Sequence, residues 1–192
     1  PDGDPPAGTI VLLHGWPDSA ALWDDTASAL RARWRCVRFT WPGFRPEDPE
    51  RVAYALADLV DRLHQVVLAT AGGQPVTLLM HDWGCVFGNA FWRAHPALVA
   101  RIAAVDIGDA GSRAHVAELP LQAKAGIAAY QLWLALAFIV GGDLGHTMAR
   151  RMAARLRVPV PAGRIRACMG HPYWITWTGT SGSYRAARPF AA

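Results

Sequence analysis

The feature that most constrains this chain is an alternation of short apolar runs with helically spaced segments over residues 9–107. Residues 9–13 are apolar with no polar interruption, as suits a parallel strand covered on both faces. Leu22, Trp23, Ala27 and Leu30 then recur at helical spacing within residues 20–33, with Ser19 placed to cap that helix. Residues 36–40 read as the second strand, Trp41-Pro42-Gly43-Phe44 as a turn, and the Pro/acid-rich stretch to Glu50 as a surface loop. A helix is predicted over 52–71, where Leu56, Leu59, Val60, Leu63, Val67 and Leu68 keep the 3.6-residue period until Gly72-Gly73 stops it. Residues 76–81 read as a buried strand, 84–95 as helix and 102–107 as the fourth strand. This order predicts an α/β fold with a parallel central sheet and helices on both faces.

Beyond Ile107 the pattern changes to helical segments at 116–140 and 144–156, with no convincing buried strand, so a helical insertion is expected. Pro159, Pro161 and Gly163 break it before the aromatic run from His171 to Trp177. We therefore divide the chain into a core, residues 1–110, and a helical region, 111–192. The positive charge comes almost wholly from arginine, since Lys124 is the sole lysine. The arginines are scattered except between Arg150 and Arg166, so nucleic-acid binding is not expected. Cys36, Cys85 and Cys168 are odd in number and lack C-x-x-C spacing, which suggests neither a disulfide framework nor a zinc site and fits a reducing, cytoplasmic setting. Residues 1–8 do not read as a signal peptide. Residues 125–140, broken only by Gln131, fall short of the roughly 20 residues a bilayer span needs. They are expected to form a buried or cavity-lining helix, with membrane contact possible but not favoured.

The chemistry is concentrated in Leu78-Leu79-Met80-His81-Asp82-Trp83-Gly84-Cys85, where a strand runs into a helix through a tight turn with a carboxylate at its apex. Such a strained turn lifts a nucleophile above a sheet edge, and the helix N-terminus favours negative charge there. On these residues alone Asp82 reads equally well as a helix N-cap. Upstream, the first strand ends in His14-Gly15-Trp16-Pro17.

Together the two motifs resemble the epoxide-hydrolase and haloalkane-dehalogenase branch of the α/β-hydrolases, over about residues 9–111. The resemblance implies an α/β-hydrolase fold with a helical cap, Asp82 as nucleophile, and the backbone N–H groups of Trp16 and Trp83 as oxyanion donors. It implies attack of the Asp82 carboxylate on a carbon of a small apolar substrate, then hydrolysis of the resulting ester by a His-activated water, with no metal or organic cofactor. An aspartate suits displacement at carbon because it is already anionic. Tyr173 and Tyr130, with Tyr184, are the cap tyrosines that would hydrogen-bond an opening epoxide oxygen. His-Gly-Trp-Pro in place of the dehalogenases' His-Gly-Asn-Pro favours epoxides. Haloalkane dehalogenase is the first alternative, and a non-catalytic binder of an apolar ligand or partner the second.

Two departures matter. The position two before the nucleophile, ordinarily small, is Met80, which predicts a local distortion absorbed by a flexible side chain. The family's base follows a last strand that these residues do not supply, so the base is expected beyond them, with His171 a weak substitute. The acid orienting it is assigned to Asp106, with Asp109 behind it. An unpaired edge beside residues 102–107 is expected, and with it a longer natural chain. Cys85 is expected to be a small buried hydrophobe.

Overall fold

The structure, a computed structural model, describes residues 8–107 and 117–178. Residues 1–7, Asp109, His115 and Tyr184 lie outside them. The chain divides into two compact units, the first comprising Pro1–Trp41 with Ala57–Gly108 and the second Pro42–Leu56 with Asp109–Ala192.

In the first unit, strands β1 (Thr9–Leu13), β2 (Arg35–Arg38), β3 (Val76–His81) and β4 (Val99–Val105) form one sheet in the order β2-β1-β3-β4. Every pairing is parallel. The register sets Val11 beside Leu78 and Leu13 beside Met80 on one face, with Ile10, Leu12 and Leu79 on the other. Ile10 and Leu12 pack with Trp23, Leu22 and Leu30 from the 3-10 turn Ala20–Trp23 and helix α1 (Asp24–Leu30). The opposite face carries α3 (Trp83–Ala94), where Phe87 and Phe91 are fully buried, and α2 (Leu56–Ala71) meets α3 through His64 and Phe91. Helices thus cover both faces. Ser19 caps its turn, its Oγ accepting the Ala21 N–H at 3.3 Å.

Three elements differ from the sequence expectation for local reasons. Strand β2 stops at Arg38, and Thr40 turns aside to accept the Ala20 N–H at 3.1 Å. Helix α2 starts at Leu56 rather than 52, because Pro46 and Pro49 lack N–H donors and Asp48 Oδ2 holds the N–H groups of Gly43 (2.7 Å) and Arg45 (2.9 Å) in a loop. Strand β4 runs Val99–Val105, because the 3-10 turn Pro96–Leu98 feeds directly into the ladder and Asp106, at φ 77°, turns the chain out of it. Its residues beyond Val99 are exposed, in keeping with its edge position.

In the second unit, α4 (Leu121–Val140) and α5 (Gly142–Arg155) form a hairpin joined at Gly141 and Gly142, whose φ values of 60° and 53° allow the reversal. Two 3-10 turns, Ala162–Arg164 and Ala167–Gly170, lead to α6 (His171–Thr178). Glu50 belongs to this unit, and its carboxylate accepts from Arg166 at 3.0 Å and lies 3.4 Å from His146. His146 Nδ1 accepts the Ala167 N–H at 3.2 Å, which leaves Nε2 to carry the proton towards Glu50.

Candidate active site

One residue, Asp82, separates the end of β3 from the start of α3, and its backbone sits at φ 49°, ψ −125°. An L-residue held there costs on the order of 1–3 kcal/mol, which the parallel ladders and the buried start of α3 must sustain. The side chain makes no cap hydrogen bond to an N–H further into α3 than Trp83, so Asp82 is not an ordinary helix cap. Instead its Oδ2 accepts the Trp16 N–H at 2.6 Å, and the Trp83 N–H also donates to the carboxylate. The strand end at His14-Gly15-Trp16 and the elbow are thereby joined through main-chain donors.

Close approach explains two small residues. A Cβ on Gly15 would fall 2.5 Å from Trp83 N and 2.6 Å from Asp82 Cβ, so any side chain there would push the Trp16 and Trp83 N–H groups away from Asp82. Met80 is buried, yet β3 continues through it to His81, so no break in the strand attends the large residue. Its thioether lies against Gly88 on α3, where a Cβ would collide with the sulfur. The small residue on the helix leaves the space that the Met80 side chain fills.

Burial pushes the Asp82 carboxyl up to about 6, opposed by the bonds from Trp16 and Trp83 and by the neighbouring His81, and reinforced by Asp106. Asp82 is therefore ionised at neutral pH but poised near its titration. His81 pairs with Asp106 at 4.0 Å between Nε2 and Oδ2. Asp106 stands immediately after β4 with its side chain largely exposed, and its charge acts on Asp82 through space, opposite in sign to that of His81.

Behind the elbow, His14 is buried and its pKa is lowered to about 4 by that burial. The Trp41 N–H donates to its Nε2 at 3.1 Å, which puts the proton on Nδ1, 3.0 Å from Gly15 O. Trp41 Nε1 returns a bond to His14 O at 3.0 Å. His14 is thus a neutral clasp between the ends of β1 and β2, a role its motif position did not disclose. Cys85 is buried with its thiol pushed up to about 12, chiefly by burial, and is no second nucleophile.

The other candidates lie in the second unit. Tyr173 is buried and meets Tyr130 edge to face, with ring centroids 6.0 Å apart. His171 is corrected as a possible base: it is fully buried, edge-on to Phe44 (5.5 Å) and Tyr54 (5.4 Å). Burial lowers its pKa to about 3, against the opposing Pro42 carbonyl. An imidazole so enclosed is a packing element, reachable by neither water nor substrate. Among the described residues, no cluster of three or more His, Cys, Asp or Glu could hold a metal ion.

The model of the family described as alpha/beta hydrolase fold matches residues 8–137. A protein named probable oxidoreductase EphD from Mycobacterium tuberculosis is 40% identical over 87 residues, 44% of this chain and 15% of that protein. Epoxide hydrolase B of the same organism is 32% identical over 105 residues, 53% of this chain and 29% of its own length. The chain therefore spans well under two thirds of these relatives. A crystal structure of Bacillus megaterium epoxide hydrolase with an inhibitor superposes with a TM-score of 0.59 over 96% of this chain and 65% of that one, at 20% identity, which speaks for the fold alone. The chain belongs to the α/β-hydrolase fold family, with its likeness running to the epoxide-hydrolase and haloalkane-dehalogenase branch.

Proposed function

We propose that this chain contributes the nucleophile half of an epoxide hydrolase, opening small apolar epoxides through a covalent ester on Asp82. One observation carries the reading: a carboxylate raised on a positive-φ elbow, with Oδ2 already held by the Trp16 N–H at 2.6 Å. The partner oxygen attacks a ring carbon while Oδ2 stays bound. The ring C–O bond breaks, and the ring oxygen leaves as an alkoxide that takes a proton, for which Tyr173 and Tyr130 are the phenol candidates. Oδ2 then becomes the ester carbonyl oxygen, already facing the donors that stabilise it when water adds to the carbonyl. Water's proton goes to a base, the acyl–oxygen bond breaks, and the diol leaves with the Asp82 carboxylate restored. Asp106 is the candidate to orient that base, and the helices after residue 110 are the cap under this reading.

Incubation with a panel of small epoxides and haloalkanes, followed by mass spectrometry of the peptide containing Asp82, tests it. An epoxide adduct adds the whole reagent mass, whereas a haloalkane adduct adds the alkyl group without the halide. The proposal expects the first on Asp82 and none on Asp82→Asn. Halide-expelling adducts alone would make the chain a dehalogenase, and no adduct with any reagent would favour a non-catalytic binder.

A further inference from the structure

We propose that the second unit docks onto an anionic membrane surface through α4, which lies in the interface rather than crossing it. Helix α4 is long and apolar enough to cross a bilayer by length and composition, yet only 22% of its apolar window is buried. A helix apolar all round ordinarily has its whole circumference covered, by protein or by lipid. Here one face is covered: Leu134, Ala135, Ala137 and Phe138 are buried, and the Trp133 Nε1 donates to Met148 O on α5 at 3.0 Å. Crossing a membrane would strip those contacts, whereas lying on one would keep them. The other face exposes Leu132, Leu136 and Ile139 at successive helical turns, with Leu121 83% exposed at the start of the same stripe.

Charge decides what covers that stripe. The described residues of the second unit hold Lys124 and eight arginines against Glu47, Asp48, Glu50, Glu118 and Asp143, and of the arginines Arg166 is already paired with Glu50. Arg151, Arg155, Arg157 and Arg164 are exposed. A second copy would set these exposed cations against like charges, while an anionic headgroup layer complements them and gives the apolar stripe an apolar medium. The arrangement, an apolar stripe on one helix with cations on the next, is that of an interfacial element.

Flotation of the full chain with vesicles of phosphatidylcholine, with or without a third of phosphatidylglycerol, tests the proposal. Roughly tenfold more protein should float with the anionic vesicles at low salt, and molar salt should remove most of that gain. Leu132→Gln with Leu136→Gln should abolish flotation, and Arg151→Glu with Arg155→Glu should remove the preference for anionic lipid. Circular dichroism verifies folding, and the arginine pair, at exposed positions, decides the matter should the leucine pair unfold the chain. The proposal is overturned if the protein stays unbound, or floats equally with both vesicle types. It is equally overturned if a concentration-dependent dimer appears in solution that Leu136→Gln dissolves.

Discussion

Asp82 in the first unit and Glu50 in the second are both carboxylates drawn among polar partners, but the partners differ in kind. Glu50 faces a guanidinium at 3.0 Å and an imidazole at 3.4 Å, the arrangement of a structural clasp. Asp82 is bonded by two main-chain N–H groups, with no arginine or lysine among the causes of its shifted pKa. A cation would lower the carboxyl's pKa and blunt its nucleophilicity, whereas neutral donors leave a charge that remains reactive. The elbow thus holds its anion by neutral donors at a cost in stability, and the clasp uses its anion to hold residues 42–56 to their unit.

The largest expected effect breaks this contrast at its reactive end. Asp82→Asn should lower adduct formation by at least about a thousandfold, since an amide is no nucleophile. At pH 7 the same change should raise unfolding stability by about 1–3 kcal/mol, because the folded state no longer holds a carboxylate whose pKa burial has raised. Paired adduct assays and denaturant midpoints check both signs. A destabilised Asp82→Asn would mean the elbow is held by that charge, not despite it.

Next in size, Gly88→Ala should cost about 1–3 kcal/mol, because the new methyl meets the Met80 sulfur under the elbow. Met80→Ala in the same chain should restore part of the loss, giving a measurable coupling in a double-mutant cycle of denaturant midpoints. Additive losses would show that Met80 does not use the space Gly88 leaves. On the clasp side, Glu50→Gln should cost about 1–2 kcal/mol, below the figure for a fully buried pair because both partners retain solvent contact. It should leave Asp82 alkylation within about twofold, as no reacting group is touched.

The remaining effects are those of pH, and their signs oppose one another. The Asp82 carboxyl is raised from 3.8 to about 6, so its contribution to stability is present below pH 3.8 and is lost as pH rises through about 6. His14 and His171 are lowered from 6.5 to about 4 and about 3, so their contribution is full above 6.5 and is lost as pH falls towards those values. Thermal midpoints should therefore decline on acidification below 6.5, and should decline more steeply between pH 6 and 4 in Asp82→Asn, which lacks the opposing group. Ester formation should fall about tenfold per pH unit below about 6 as the nucleophile takes up its proton. A rate independent of pH down to 4 would contradict the raised carboxyl.

Much of the first unit was legible because its signals are local. Uninterrupted apolar runs gave β1 and β3 to the residue, and a 3.6-residue period gave the body of α2. Element ends were less legible, since they depend on partners distant in sequence: β2 stops where Thr40 meets Ala20, and α2 waits until the Asp48 loop is complete. The order β2-β1-β3-β4 could not be read from any local pattern, because strand neighbours are chosen by packing. The aromatic run from 171 to 177 offered Tyr173 as a cap tyrosine, but nothing in it showed that His171 would be sealed between Phe44 and Tyr54.

The sequence by itself determined the alternating α/β plan, the strand-Asp-helix turn and the His14-Gly15-Trp16 motif that resembles its partner, because each is written in consecutive residues. Tertiary structure alone decided that Asp82 is a poised carboxylate and not an ordinary helix cap. That choice rests on an N–H donated from 66 positions away in the chain and on a backbone angle that neighbouring strands must enforce. It also turned His14 and His171 into neutral packing groups, since the burial that sets their charge is a property of the assembled fold.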